Sequence, residues 1–350
     1  MFDFSSFLSN KAFITEDHHV YTYADLLGLS ERFSEHLVPR SLIFIGCENS
    51  LESIVAYVSC LRSGVVPLLL SRDVPDETLY HLEAIYHPRY CWFPSRRDLL
   101  VKGKEKYSLG GYSLIQYDGD SPVLPEGLAL LLTTSGSTGS PKLVRLSHDN
   151  LKSNACSIIE YLKITSSEKA ITSLPMYYSY GLSVLNSHLL AGATLLLTDK
   201  SYVQREFWKF VLEEKATSFA GVPFTYEILK KMRFEKFLPS SVKVMTQAGG
   251  KLNSSLIKYF SEYARLHDIR FYVMYGQTEA TARMSYLPAE YTLNKVGSVG
   301  VAIPGGHFSL IDEDGMRIVS PNVEGELVYE GSNVFWGYAE SLDDLFKGDE

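Results

Sequence analysis

Apolar residues follow two rhythms along most of this chain. Short unbroken runs, LIFIG at 42–46, VVPLLL at 65–70 and YCWF at 90–93, have the length of strands buried on both faces. Between them, LESIVAYVSCLR at 51–62 and DETLYHLEAIYH at 76–87 space their apolar residues as helices do. The alternation resumes with KAITSLP, ATLLLT, TSFAG, VKVMTQ and RFYVMY as strands, separated by helical stretches such as REFWKFVLEEK and SSLIKYFSEYARL. It predicts an α/β protein built on mainly parallel sheets covered by helices. Beyond about Leu287 the pattern breaks into Gly- and Pro-punctuated segments, and Asp314-Gly315 marks a hairpin in a small, mostly antiparallel β unit.

One segment obeys neither rhythm. Thr134 to Lys142, TSGSTGSPK, packs glycines, hydroxyls and one ammonium into a stretch able to wrap a polyphosphate. Gly136 and Gly139 permit positive φ and close backbone approach, while Ser135, Ser137, Thr138 and Ser140 add donors and Lys142 adds charge. Pro141 fixes the exit of the loop. A nucleotide-binding P-loop needs Gly before Lys, Ser or Thr after it, and a helix opening there. Here Pro141 precedes, Leu143 follows, and LVRLS reads as a strand with a helix starting near Ser147, where Asp149 can also cap. A P-loop phosphotransferase is disfavoured; a plain Gly/Ser connection between strands is the other reading.

Composition narrows the field. The 350 residues are 45% hydrophobic and carry a net charge of −8 without a basic block, which favours small-molecule ligands over nucleic acid or an anionic membrane. No segment is apolar and long enough to span a bilayer, and the start does not read as a secretory signal. Cys47, Cys60, Cys91 and Cys156 are widely spaced, so neither a disulfide framework nor a zinc site is expected, and a reducing cytoplasm fits. The nine histidines lack ligand spacing, and His18 with His19 reads as a solvated turn.

A second constellation, YGQTEA at Tyr275 to Ala280, follows the strand RFYVMY and so belongs at the carboxyl end of a sheet strand, where open α/β sheets bind ligands. Tyr275 offers a flat face for a base, Gly276 allows backbone approach, Thr278 offers a hydroxyl to phosphate, and Glu279 offers a hard oxygen to Mg²⁺.

TSGSTGSPK, then AGGKL at 248–252, YGQTEA, GSVGVAIPG at 297–305 and GELVYEGSNVFWGY at 325–338, in this order, resemble the adenylate-forming superfamily. That family includes acyl-CoA synthetases, peptide-synthetase adenylation domains and luciferases, and this chain is closest in character to the acyl-CoA synthetases. The resemblance runs from about Thr22 to the last residues. It implies two helix-covered, mainly parallel sheets layered αβαβα, with the small antiparallel unit at the end. It also implies ATP- and Mg²⁺-dependent activation of a carboxylic acid as an acyl-adenylate, with release of pyrophosphate. The acceptor would be CoA or the phosphopantetheine of an acyl carrier protein.

Carried over by motif, Thr134 to Lys142 resembles the mobile loop over the β- and γ-phosphates, and Gly249 and Gly250 match the adenine-site glycines. Tyr275 matches the aromatic that stacks on adenine, Thr278 the α-phosphate contact and Glu279 the Mg²⁺ ligand. Asp349 resembles the Asp that grips the ribose hydroxyls. Lys142, Thr278 and Glu279 are the candidate catalytic residues; the barrier to carboxylate attack on an anionic nucleotide is charge repulsion and alignment, and they address both.

LPMYYSYGLS at 174–183 resembles the segment beginning LPLFH, with Tyr178 at the usual His position and Ser179 where amino-acid-activating members carry an ammonium-binding Asp. An α-amino acid is therefore disfavoured, and an acyl, aryl or hydroxy acid is expected. Tyr178, Ser179, Gly181, Val222 and Tyr226 are the candidate pocket residues, with core packing as the rival reading for the tyrosines. The resemblance divides the chain into approximate subdomains 1–165, 166–288 and 289–350 of a large N-terminal domain. Full-length members continue into a smaller domain that supplies a catalytic lysine, so a fragment with weak activity is expected. Leu143, where the family has Gly, and Tyr178 leave open a catalytically silent nucleotide-binding or interaction module of the same fold.

Overall fold

Alternate residues of each buried strand face opposite layers. In the computed structural model, which describes residues 1–95, 103–134 and 142–348, Leu42 and Phe44 point into one core while Ile43 and Ile45 point into another. These side chains belong to an eight-stranded sheet. Its parallel centre, in spatial order, is Leu128–Thr133, Val66–Ser71, Leu42–Cys47 and Tyr90–Pro94. Antiparallel strands extend it on both sides, with Leu143–Ser147 and Tyr338–Ala339 at one edge and Tyr112–Tyr117 and Gly103–Leu109 at the other.

A nine-stranded sheet lies behind it. Its parallel body runs Arg270–Tyr275, Val244–Gln247, Ser218–Gly221, Lys169–Ile171, Thr194–Leu196 and Lys11–Ile14, with antiparallel strands at both edges. The helices Tyr23–Ser34, Leu51–Ser63 and Ser179–Leu190 contribute to the largest core, which joins inward residues of both sheets, such as Ile45 and Leu195. The helix Asp76–Tyr86 covers the outer face of the first sheet; Arg205–Glu213, Pro223–Met232 and Ser254–Leu266 cover that of the second. This is the expected αβαβα layering.

The helix predicted near Ser147 is His148–Leu162. Ser147 accepts from the Asn150 amide while the Asn150 side chain accepts from the Ser147 amide. The reciprocal cap is therefore Asn150, and Asp149 sits in the first turn, where its charge favours the positive end of the helix. The Asp314-Gly315 turn closes a hairpin that pairs Ile311 with Arg317, inside a three-stranded antiparallel sheet of Gly306–Ile311, Arg317–Ile318 and Glu326–Gly331. Gly315 supplies the positive φ of 77° that the turn requires.

Candidate active site

The strand Arg270–Tyr275 carries Tyr275 to its carboxyl end, where the ring is 37% exposed. The chain then doubles back so tightly that a Cβ on Gly276 would collide with the carbonyl of Ala282. Thr281 and Ala282 hold positive φ values of 53° and 91°, which non-glycine residues keep only where the surroundings enforce them. Asn333 does so: its Nδ2 donates to the Ala280 carbonyl at 2.7 Å and the Arg283 carbonyl at 2.8 Å. Thr281 Oγ1 donates to the Asn333 carbonyl at 2.7 Å, and Asn154 Nδ2 reaches the Arg283 carbonyl at 3.1 Å. The turn that follows Thr278 and Glu279 is thus fixed by two residues, Asn333 and Asn154.

Beside Tyr275 lies a cleft of about 530 Å³ lined by Gln247, Gly249, Gly250, Tyr275 and Gly276, with Gly297 to Val299 on its far side. Gly249 has φ of 80°, and an added Cβ would strike the Tyr178 hydroxyl oxygen and lie 3.2 Å from Val222 Cγ1. The two candidate pocket residues Tyr178 and Val222 therefore back onto the candidate adenine-site glycine. Gln247 donates to the Gly250 carbonyl at 2.9 Å, which holds the glycine turn open.

At the other end of this turn the hydroxyls of Thr278 and Ser179 are 3.1 Å apart. Oε1 of Glu279 accepts from the Tyr338 hydroxyl at 2.7 Å. Burial and this hydrogen bond to a carboxylate push the Tyr338 phenol up to about 12. The Lys142 ammonium lies 5.5 Å from the centre of the Tyr338 ring and pairs with Glu340 at 2.7 Å. Both partners are more than half exposed, so that ion pair holds Lys142 weakly. Thr134 meets Lys142 through a backbone bond of 3.3 Å. The loop positions Ser135, Gly136, Ser137, Thr138 and Gly139, with the ribose candidate Asp349, lie outside the described residues.

Arg145 ties the C-terminal segment to this edge. It is fully buried, and its guanidinium donates to the carbonyls of Lys347 at 2.5 Å, Gly348 at 3.3 Å and Trp336. Tyr338 follows from this anchoring, because the backbone of Arg145 also bonds Trp336 and Gly337.

The remaining candidates separate. Gly181 lies on the helix Ser179–Leu190, where a Cβ would press on the Pro175 carbonyl. Tyr226 is fully buried against Phe260 and Phe271, with its hydroxyl donating to the Thr246 carbonyl at 2.8 Å. It packs the core and does not line the cleft beside Tyr275. Asn333, Tyr338, Arg145 and Arg283 received no role from the sequence. Tyr338 and Asn333 stand inside the quoted GELVYEGSNVFWGY segment, whereas Arg283, four residues after Glu279, stands outside every quoted motif.

A glycine-backed cleft beside Tyr275, at the carboxyl end of a parallel strand, lies where open α/β sheets bind ligands. The family profile described as AMP-binding enzyme matches residues 6–339. The 2-succinylbenzoate–CoA ligase of Bacillus cereus is 31% identical over 352 residues, covering 95% of this chain and 70% of that protein. A feruloyl-CoA synthase of Amycolatopsis is 29% identical over 238 residues, covering 66% of this chain and 47% of that one. The structure of o-succinylbenzoate CoA synthetase from Bacillus subtilis, with its acyl-adenylate intermediate, superimposes with a TM-score of 0.77 at 22% identity, covering 94% of this chain and 68% of that chain. The chain belongs to the AMP-binding enzyme family, and it groups there with the AMP-forming acid–CoA ligases.

Among the described residues no helix is long and apolar enough to cross a membrane.

Proposed function

We propose that this protein uses ATP to convert a carboxylic acid into an acyl-adenylate, releases pyrophosphate, and passes the acyl group to a thiol. The observation that carries the reading is the line Lys142, Tyr338 and Glu279 at the end of the turn that also carries Thr278, beside the cleft of Tyr275, Gly249 and Gly250. The Bacillus cereus relative is named a CoA ligase, and the Bacillus subtilis structure holds an acyl-adenylate, which supports the same chemistry here.

Each residue has a task of its own. Tyr275 covers a base, and the bare Cα atoms of Gly249 and Gly250 admit it against the backbone. Thr278, fixed by the turn and oriented by Ser179, donates to the α-phosphate. Lys142 leaves its weak surface pair to meet the charge that grows on the departing pyrophosphate. The substrate carboxylate is the nucleophile, so no side-chain nucleophile is needed.

Magnesium fits the donor set. Glu279 presents a carboxylate with one oxygen engaged by Tyr338 and the other available, and no cluster of three or more His, Cys, Asp or Glu competes among the described residues. Glu279 would hold the ion together with nucleotide oxygens, and the bound ion would neutralise phosphate charge. The acid is an acyl, aryl or hydroxy acid, because Ser179 offers only a neutral hydroxyl where an α-ammonium would need a carboxylate. CoA is the acceptor the relatives favour, with a carrier-protein phosphopantetheine as the other thiol of the same chemistry.

The test is acid-dependent exchange of labelled pyrophosphate into ATP, screened over fatty, aryl, hydroxy and amino acids. AMP as the product, formed only with an acid present, is the expected result. ADP, or exchange indifferent to the acid, would overturn the reading.

A further inference from the structure

The small three-stranded sheet meets the turn after Glu279 through the side chains of Tyr329 and Asn333. On the strand Glu326–Gly331, Tyr329 packs edge-on against its cross-strand partner Phe308, with ring centres 5.2 Å apart. Its hydroxyl donates to Oδ1 of Asn333 at 2.8 Å. Room for this contact comes from a second cross-strand pair, Gly306 and Gly331. A Cβ on Gly306 would strike the Tyr329 hydroxyl oxygen, and one on Gly331 would lie 2.6 Å from Asn333 Oδ1 and 3.0 Å from that hydroxyl. Neither glycine has a positive φ, so the space they leave, and not their backbone angle, accounts for them.

Asn333 is 3% exposed, and its amide is committed at both ends. Oδ1 faces Tyr329, while Nδ2 donates to the carbonyls of Ala280 and Arg283, which flank the left-handed pair Thr281 and Ala282. A hydrogen bond accepted at Oδ1 fixes the plane of the amide and strengthens its N–H donors. Two residues on, the backbone amide of Phe335 donates to the Glu279 carbonyl at 2.8 Å. Asn150 steadies the segment itself from the helix His148–Leu162, donating to the carbonyls of Ser332 at 2.8 Å and Val334 at 2.7 Å.

Resting on the acid-activating reading above, we infer that Tyr329 and Asn333 are positioning residues, a relay by which the small sheet sets the alignment of Thr278 and Glu279. Tyr329 acts through Asn333, and Asn333 acts through the carbonyls on either side of the left-handed pair. Neither touches the reacting groups. Alignment is what carboxylate attack on an anionic nucleotide needs from this turn, and displacing a fixed group by about 1 Å costs on the order of 100-fold in rate. Base binding is separate, because Gly249, Gly250 and Tyr275 precede the turn and line a cleft of their own.

Tyr329→Phe removes the hydroxyl and leaves the ring beside Phe308. Its kcat for acid-dependent pyrophosphate exchange should fall about tenfold, while the KM for ATP moves by less than about threefold. Asn333→Ala should lose about 100-fold in kcat, and adding Tyr329→Phe to it should cost nothing more, because the hydroxyl acts through the amide. In the nucleotide-free protein, hydrogen exchange at the amides from Ala280 to Arg283 should quicken about tenfold in Tyr329→Phe. An unaltered kcat in Tyr329→Phe overturns the inference, as does a loss that recurs in full on top of Asn333→Ala. So does lower stability with an unchanged rate per folded molecule, the mark of a merely structural pair. If Asn333→Ala does not fold, Tyr329→Phe and its hydrogen exchange still decide. Absence of pyrophosphate exchange in the unaltered protein with every acid would instead bring down the acid-activating reading, and hydrogen exchange would then report by itself whether Tyr329 holds the turn.

Discussion

Tyr338 donates its phenolic hydrogen to Oε1 of Glu279 at 2.7 Å, and so orients the carboxylate assigned to magnesium. Outer partners of this kind govern metal affinity as well as geometry. Glu279→Gln should lower pyrophosphate exchange by about 100-fold or more, because a charged ligand is lost at the point where charge develops. Tyr338→Phe keeps the ring under Lys142 and removes only the hydroxyl, so the magnesium concentration for half-maximal exchange should rise about tenfold at little change in maximal rate. A magnesium titration of the three proteins checks both. An unchanged rate in Glu279→Gln would remove Glu279 from the mechanism.

Gly249→Ala should harm binding and folding by separable routes. The new Cβ would drive into the Tyr178 hydroxyl oxygen and displace the ring at the rim of the cleft, while φ of 80° is unfavourable for alanine. We expect ATP affinity to fall by about tenfold and stability by about 1 kcal/mol. Tyr178→Phe in the same chain removes the struck oxygen, so affinity should recover while the backbone strain persists. Nucleotide titration and urea unfolding of both variants separate the effects. Recovery of stability together with affinity would show that the backbone angle was not the cause.

The fold was legible because burial on both faces leaves unbroken apolar runs, as in Leu42–Cys47, whose six residues are all buried. Lys11–Ile14 was not read, although three of its four residues are buried. It is short, lies far along the chain from Thr194–Leu196, and gains its place only through the long-range pairing of Phe13 with Leu195. Tyr275 and Glu279 have a local signature, since they flank Gly276 at a strand end, whereas Gly249 and Gly250, between Ala248 and Lys251, are nominated only by the resemblance of AGGKL to the family. Arg283 and Arg145 had none. Their burial is set by strands and segments remote in sequence, and an arginine in an apolar stretch does not show from sequence alone which carbonyls or ring it will meet. Tyr226 shows the converse: its sequence context allows both a pocket wall and core packing, and Thr246, Phe260 and Phe271 enclose it in the core.

Arg145 joins the strand Leu143–Ser147 to three carbonyls of the C-terminal segment. Arg145→Leu removes charge-assisted donors from buried carbonyls and should cost about 3 kcal/mol of stability. The same change frees the segment that leads to Asp349, so the KM for ATP should rise further than kcat falls. Thermal unfolding and steady-state exchange check the two parts. A destabilised variant with an unaltered KM would separate this anchor from the ribose site.

His188 sets an acid limit. It is buried in the wall of an internal cavity that Arg283 also lines, and its Nδ1 donates to the Val184 carbonyl at 2.8 Å. Burial lowers its pKa below the ordinary 6.5, while that backbone bond and the charge of Glu168 oppose the shift less strongly. The unfolded chain therefore takes up this proton at a higher pH than the folded one. The stability linked to His188 is complete above pH 6.5 and is lost as pH falls from there toward the folded value. His188→Gln keeps a neutral donor for Val184 and has nothing to titrate, so its unfolding free energy should fall less steeply between pH 7.5 and about 5. His148, also lowered by burial, is present in both proteins and cancels in the difference. Urea unfolding at successive pH values measures that difference directly. Parallel curves for the two proteins would mean that His188 gains its proton in the folded state as readily as in the unfolded one.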